Sequence, residues 1–128
     1  MNGKKVLLVD EEEIILDTYS FLLSKEGYRV VATNSGSKAL EKLHQQPFDI
    51  VITDLAIKNE NGCTVFEEVK TIFPTIPVIV LTNNVSEIVR QFTSMLGACS
   101  LIEKPFSYEI LISCIRSFLT RSKSRMSI

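Results

Sequence analysis

The chain has 128 residues, of which 45% are hydrophobic and 23% charged, and its formal net charge is -1. This balance is typical of one folded globular domain and excludes a disordered or low-complexity protein. A charge so near zero gives no overall attraction to nucleic acid or to anionic lipid, and no apolar run approaches the roughly 18 residues of a membrane span. Since no signal peptide is recognisable, we expect a cytoplasmic protein with free thiols at Cys63, Cys99 and Cys114.

The N-terminal part of the chain alternates between apolar runs that predict strands and amphipathic patterns that predict helices. A strand over residues 6–9 is followed by a helix over residues 12–26. A second strand over residues 28–33 precedes a short helix that either Ser35 or Ser37 can cap. Each strand is thus followed by a helix, as in a parallel sheet.

The rest of the chain continues this alternation. The predicted elements are a strand at residues 49–53, a helix at 65–73, a strand at 78–81, a helix at 85–95, a strand at 99–102 and a helix that begins after Ser107. In the helix at 85–95 the apolar stripe that we expect to face the core consists of Val85, Ile88, Val89, Phe92 and Met95.

Five strands and five helices in strict alternation predict an α/β fold. Because crossover connections between parallel strands are right-handed, helices should cover both faces of a doubly wound (βα)5 sheet with the flavodoxin-like strand order 2-1-3-4-5. Ligands of such sheets bind beyond the carboxyl ends of the strands. The functional site is therefore expected at that edge.

Residues with polar, reactive side chains follow four of the predicted strands. Asp10 and Glu11 follow the first strand, Asp54 the third, Thr82 the fourth and Lys104 the fifth. Three carboxylates at one edge repel each other unless a cation lies among them, and Mg²⁺ prefers oxygen ligands. A carboxylate beside Mg²⁺ can attack phosphorus and form an aspartyl phosphate, with the hydroxyl and the ammonium group contacting the phosphoryl oxygens. The pattern indicates phosphoryl transfer.

The motifs that carry these residues are Val9-Asp10-Glu11-Glu12, Asp54-Leu55 followed by Asn61-Gly62, Thr82, and Gly97-Ala98 ahead of Lys104-Pro105-Phe106. In order and spacing they resemble the receiver domain of two-component response regulators, including the chemotaxis regulators, over essentially the whole chain. The resemblance implies a signalling phosphoacceptor and not an enzyme. Such a domain phosphorylates itself in the presence of magnesium and slowly loses the phosphoryl group again. It implies a domain over residues 1–121, followed by a tail or the start of a linker at 122–128.

The resemblance also implies a role for each matching residue. Asp54 corresponds to the phosphoacceptor, Thr82 to the switch hydroxyl and Lys104 to the phosphate-binding lysine, with a cis peptide bond before Pro105. Asp10 and Glu11 would hold Mg²⁺ together with Asp54 and the backbone carbonyl of Ala56. The implied partners are a histidine kinase or phosphotransfer domain, and an output protein or domain that binds the face made by the fourth helix, the fifth strand and the fifth helix. No membrane and no nucleic acid is expected to bind this domain directly.

Three positions depart from the pattern of the family. Lys58 stands where proline is usual, Asn83 where alanine or glycine is usual, and Leu101 where tyrosine or phenylalanine is usual. None of these departures removes a group that the chemistry needs. They bear instead on access to the phosphoryl group and on the output signal, in which Thr82 and Leu101 would take part.

Three alternatives compete with this hypothesis. A flavin-binding electron carrier needs a phosphate-binding loop after the first strand, where this chain has four consecutive residues that would repel a phosphate, Asp10 to Glu13. A phosphohydrolase with an aspartate nucleophile needs a second acid two residues later, where Ala56 stands. A degenerate receiver that serves as a constitutive binding module is disfavoured by the intact acids, Thr82 and Lys104.

Overall fold

A computed structural model describes the backbone of residues 3–127 and the side chains of residues 3–119. The strands are β1 (Lys5–Val9), β2 (Arg29–Thr33), β3 (Ile50–Asp54), β4 (Val78–Thr82) and β5 (Ser100–Glu103). The helices are α1 (Glu13–Lys25), α2 (Gly36–Gln45), α3 (Val65–Ile72), α4 (Glu87–Met95) and α5 (Tyr108–Ser127). The backbone of α5 passes the predicted boundary at residue 121, and the side chains of the predicted tail lie outside the described residues.

The strands form one parallel sheet in the order β2-β1-β3-β4-β5, so the predicted fold class and strand order are confirmed. Val9 of β1 pairs with Thr53 of β3, which places the next residues, Asp10 and Asp54, side by side at one edge. Thr82 pairs with Glu103, so Lys104 follows at the same edge. The sheet thereby gathers the ends of β1, β3, β4 and β5.

Two hydrophobic cores cover the two faces of the sheet, because successive strand residues point to opposite sides. Val6, Leu8, Ile50 and Ile52 face one core, which is completed by α1 and α5. Leu7, Val9, Val51, Val78 and Val80 face the other core, to which α2 and α3 contribute Ala39, Leu43, Phe66 and Val69. The central strands are buried on both sides, which makes the edge that carries Asp10 and Asp54 a rigid support.

Polar side chains cap most of the helices. Of the two candidates for α2, Ser35 is the cap, since its hydroxyl accepts a hydrogen bond from the amide of Lys38. Thr64 and Glu67 form a reciprocal capping box at the start of α3, and Ser86 caps α4. Among the described residues, none of the helices is both long and apolar enough to cross a membrane.

The predicted inward stripe of α4 was wrong at two positions. Ile88 and Met95 are 78% and 83% exposed, whereas Thr93 is buried. The Thr93 hydroxyl donates a hydrogen bond to the carbonyl of Val89 at 2.9 Å, and this bond lets a polar residue face the core. Hydrophobicity alone therefore assigned the wrong face to Ile88 and Met95.

Candidate functional site

The centre of the site is the ammonium group of Lys104. Its Nζ lies 2.6 Å from Oδ2 of Asp54, 2.8 Å from Oδ2 of Asp10 and 2.9 Å from Oε2 of Glu12. The side chains of Lys104, Asp10 and Asp54 are 5%, 0% and 9% exposed. One buried cation thus holds together carboxylates from two neighbouring strand ends and from the start of α1.

Backbone hydrogen bonds orient the two buried carboxylates. Oδ1 of Asp10 accepts a hydrogen bond from the amide of Glu12 at 2.9 Å, and Oδ1 of Asp54 accepts one from the amide of Ala56 at 2.8 Å. These bonds leave Oδ2 of each aspartate directed at Lys104. The amide of Lys104 in turn donates to the carbonyl of Thr82 at 2.8 Å, which fixes the end of β5 against β4. The peptide bond between Lys104 and Pro105 is cis.

Electrostatics keep Lys104 charged. Burial alone would lower the pKa of this lysine, but its close contacts with the carboxylates of Asp10, Asp54 and Glu12 outweigh the burial and raise the pKa well above the ordinary lysine value. The ammonium group is therefore protonated at neutral pH. It can donate to an oxygen of a phosphoryl group without a prior proton transfer.

Thr82 lies at the same edge but its hydroxyl bonds locally. The hydroxyl accepts a hydrogen bond from the amide of Asn84 at 3.1 Å and donates one to the carbonyl of Asn84 at 3.2 Å. Thr82 is buried, so these two bonds satisfy a hydroxyl that would otherwise be costly to bury. In this structure the hydroxyl belongs to the turn after β4.

The other predicted site residues occupy the periphery. Glu11 is exposed and makes none of the ion pairs of Lys104, and Ala56 contributes its amide to Asp54. Leu101 is half-buried and packs against the core that contains α2 and α3. Glu12 was not among the predicted site residues, although an acidic residue directly before a helix, beside two other acids, is a natural further partner for Lys104.

The oxygen atoms of the site fit a magnesium ion. Oδ2 of Asp10 is buried and finds no hydrogen-bond donor of suitable geometry among the described residues, its contact being the ion pair with Lys104. Mg²⁺ is commonly held by one or two carboxylates and keeps several waters, so Asp10 and Asp54 suffice as the protein's charged ligands. Within the described residues no cluster of three acidic, histidine or cysteine side chains is arranged to hold a metal ion. Metal binding by Asp10, Glu11, Asp54 and the Ala56 carbonyl stays a prediction.

Two of the departures from the family pattern lie in the loops around the site. Lys58 forms an isolated antiparallel β-bridge with Thr64. Its backbone carbonyl lies close to Gly36 at the start of α2. Asn83 is exposed and borders a pocket of about 300 Å³ that Lys104 and Phe106 also line. Neither residue enters the ion pairs of Lys104.

Comparison with known proteins identifies the family. The protein-family model described as the response regulator receiver domain matches residues 6–116 of this chain. The chain belongs to this family. It is thus the receiver domain of a two-component response regulator, as the motifs predicted.

Solved structures show the same relationship. The receiver domain is 28% identical to the Vibrio cholerae chemotaxis protein CheY4, with 91% of this chain and 98% of that chain covered and a TM-score of 0.82. It is 29% identical to a response regulator receiver domain protein from Clostridium thermocellum, with 94% and 97% covered and a TM-score of 0.83. It is 25% identical to NtrX from Brucella abortus, with 98% of this chain but 29% of that chain covered and a TM-score of 0.86.

Proposed function

We propose that this receiver domain accepts a phosphoryl group on Asp54 from a histidine kinase or a phosphotransfer domain. The observation that carries the proposal is the 2.6 Å contact between Lys104 Nζ and Asp54 Oδ2, at an edge where Asp10 also lies. A carboxylate nucleophile, an ammonium group that is charged at neutral pH and carboxylate oxygens that can hold a metal ion are the groups that phosphoryl transfer to an aspartate needs.

In the proposed transfer a carboxylate oxygen of Asp54 attacks phosphorus and forms an O–P bond. The P–N bond of the donor's phosphohistidine breaks, and its electron pair returns to the imidazole nitrogen. Water later attacks the acyl phosphate, which releases inorganic phosphate and restores the Asp54 carboxylate. Mg²⁺ held by Asp10 and Asp54 would neutralise charge on the phosphoryl oxygens.

Lys104 and Thr82 have separate tasks in this proposal. Lys104 gives up part of its present ion pairing and donates to a phosphoryl oxygen, since its ammonium group carries three donors. Thr82 exchanges its two hydrogen bonds with Asn84 for one to another phosphoryl oxygen. The second exchange pulls the turn after β4 and links the chemistry to α4.

The proposed output surface consists of α4, β5 and α5. Ile88 and Met95 on α4 are exposed, and Ile110 on α5 is 52% exposed. Apolar side chains of this size on the outside of a domain are accessible to a protein partner. The output partner is proposed to be a protein or a domain of a longer chain, with no direct role for a membrane or nucleic acid.

Phosphorylation by a small-molecule donor tests the function directly. Incubation with acetyl phosphate and Mg²⁺ should add one phosphoryl group that is stable in acid and labile in base, detected by intact mass. Asp54→Asn should abolish this addition, whereas the matched variant Asp17→Asn, an exposed acid on α1, should retain it. An equal mass increase in Asp54→Asn would contradict the assignment.

A further inference from the structure

Glu12 is the least restrained of the three carboxylates that share Lys104. Its Oε2 lies 2.9 Å from the ammonium nitrogen, which is close to the 2.8 Å distance of Asp10. The side chain of Glu12 is 52% exposed, however, whereas the carboxylates of Asp10 and Asp54 are buried. The three partners of Lys104 therefore differ in how easily they can give it up.

The position of Glu12 in the chain shows that the contact with Lys104 dominates its side chain. Glu12 is the residue directly before α1, where a carboxylate commonly accepts hydrogen bonds from the first helical amides. Glu12 makes no such capping bond to the described backbone, and its own amide donates to Oδ1 of Asp10 instead. Asp10 thus orients the backbone of Glu12 while Lys104 attracts its side chain.

Open space next to this contact lets Glu12 leave it. Glu12 and Lys104 both line the pocket of about 300 Å³ whose walls include Tyr19 and Phe106. Because half of the Glu12 side chain already contacts solvent, its carboxylate can become fully hydrated after release at little cost. Asp10 is fully buried and would remain as an uncompensated charge if it lost a cation.

The geometry points to Glu12 as a positioning residue that competes with the phosphoryl group for Lys104. The inference rests on the proposed function and adds a further residue to it. In the unmodified domain Glu12 holds the ammonium group, and on phosphorylation it is the partner that Lys104 releases. Removal of the Glu12 charge should therefore favour the phosphorylated form. A partly exposed ion pair of this kind changes an equilibrium constant by a factor of about 1.5 to 5.

The test measures the affinity for beryllofluoride, a phosphoryl mimic, in the presence of Mg²⁺. Glu12→Gln should bind the mimic about 1.5 to 5 times more tightly than the wild type, and less so in molar salt. The matched control is Glu13→Gln, which changes the net charge equally at a residue whose carboxylate accepts a hydrogen bond from the Asn34 amide group and makes none of the ion pairs of Lys104. In a Lys104→Met background the effect of Glu12→Gln should disappear, because a double-mutant cycle isolates the interaction of the two residues.

A second measurement needs neither Mg²⁺ nor phosphorylation. In metal-free protein, proton exchange at the Lys104 ammonium group, followed by NMR of ¹⁵N-lysine, should be faster in Glu12→Gln than in Glu13→Gln. Equal exchange rates, an equal affinity of the two variants for beryllofluoride, or tighter binding that persists with Lys104→Met would each overturn the role of Glu12. A wild type that takes neither beryllofluoride nor phosphate would instead refute the proposed function, and the inference with it.

Discussion

Lys104 Nζ and Asp54 Oδ2 lie 2.6 Å apart, which makes Asp54 the nearest of the three carboxylates around the ammonium group. The residue proposed to receive the phosphoryl group and the residue proposed to contact it are therefore already paired. Because both side chains are buried, each depends on the other for compensation of its charge. A change at either residue should affect both the stability and the chemistry of the domain.

Lys104→Met should destabilise the metal-free domain. Methionine fills a similar volume, but it leaves Asp10 and Asp54 as buried charges without a cation, and loss of one partner of a buried pair costs about 3 kcal/mol or more. Urea unfolding in the presence of a chelator measures this loss. The matched variant Lys38→Met, at an exposed lysine on α2, should change the free energy of unfolding by less than about 0.5 kcal/mol.

The contribution of Lys104 to stability should disappear at high pH. Its pKa is raised in the folded state, so the folded domain keeps a proton that the unfolded chain has released. The stabilisation by Lys104 is complete below the ordinary lysine pKa of 10.5, and it is lost as the pH rises toward and through the pKa of Lys104 in the folded domain. The difference in unfolding free energy between wild type and Lys104→Met should thus stay constant up to about pH 10 and then shrink.

The alkaline comparison needs the difference between the two proteins because other groups titrate in the same range. Burial raises the pKa of Cys99 to about 11 and that of Tyr108 to about 12. Both groups therefore also contribute stability to the folded domain that is lost as the pH rises. These contributions are common to the wild type and to Lys104→Met. A difference that does not change with pH would show that Lys104 makes no such ion pairs in solution.

Millimolar Mg²⁺ should raise the melting temperature of the wild type. An ion that binds the folded domain at Asp10 and Asp54, and not the unfolded chain, stabilises it by mass action. The increase should be larger for Lys104→Ala, because the ammonium group that competes with the metal for the carboxylates is gone. Asp10→Asn should reduce it. Thermal unfolding with and without Mg²⁺ measures the effect, and identical melting temperatures would count against the metal site.

Gly36→Ala should destabilise the domain although alanine favours helices. A Cβ at Gly36 would lie 2.7 Å from the carbonyl oxygen of Lys58, and that oxygen belongs to the backbone of the loop after β3. In an open helix the same change would stabilise by about 1 kcal/mol. Ser37→Ala, at the next and exposed position of α2, provides the control. Urea unfolding should show opposite signs for the two variants.

Leu101 stands where the family usually has an aromatic residue, and the absence of a ring there should weaken the output signal. Leu101 is half-buried against the α2 and α3 core, and a side chain of this size fits in both states of the switch with little difference in energy. With beryllofluoride we therefore expect changes in hydrogen exchange mainly at residues 85–95, with modest dimerisation. A large change across Leu101 and residues 107–118 that Leu101→Ala leaves undiminished would contradict this expectation.

The sequence predicted the fold and the edge of the sheet at which the candidate residues lie, because both follow from short-range patterns. Apolar runs marked the buried strands, and the parallel topology then brought Asp10, Asp54, Thr82 and Lys104 to one edge. Glu12 was not assigned in this way, because its contact with Lys104 depends on where a flexible, half-exposed side chain turns and not on the register of the strands.

The errors on α4 arise because hydropathy was the only guide to its buried face. Ile88 was assigned to the core although it is exposed, because a hydrophobic stripe does not reveal which of two adjacent faces packs inward. Thr93 was missed because its local hydrogen bond compensates for burial, and hydropathy does not record such bonds. Tertiary contacts therefore decided what periodicity left open.

The closed turn between Thr82 and Asn84 has a consequence for the resting population of the switch. With both of its hydrogen bonds made within three residues, the hydroxyl gains nothing by pointing into the site before a phosphoryl group is present. Conformers with the hydroxyl directed inward should therefore be rare in the unmodified domain. A rare active conformer would give a low background signal, so that the proposed output partner would respond to phosphorylation and little to thermal fluctuation.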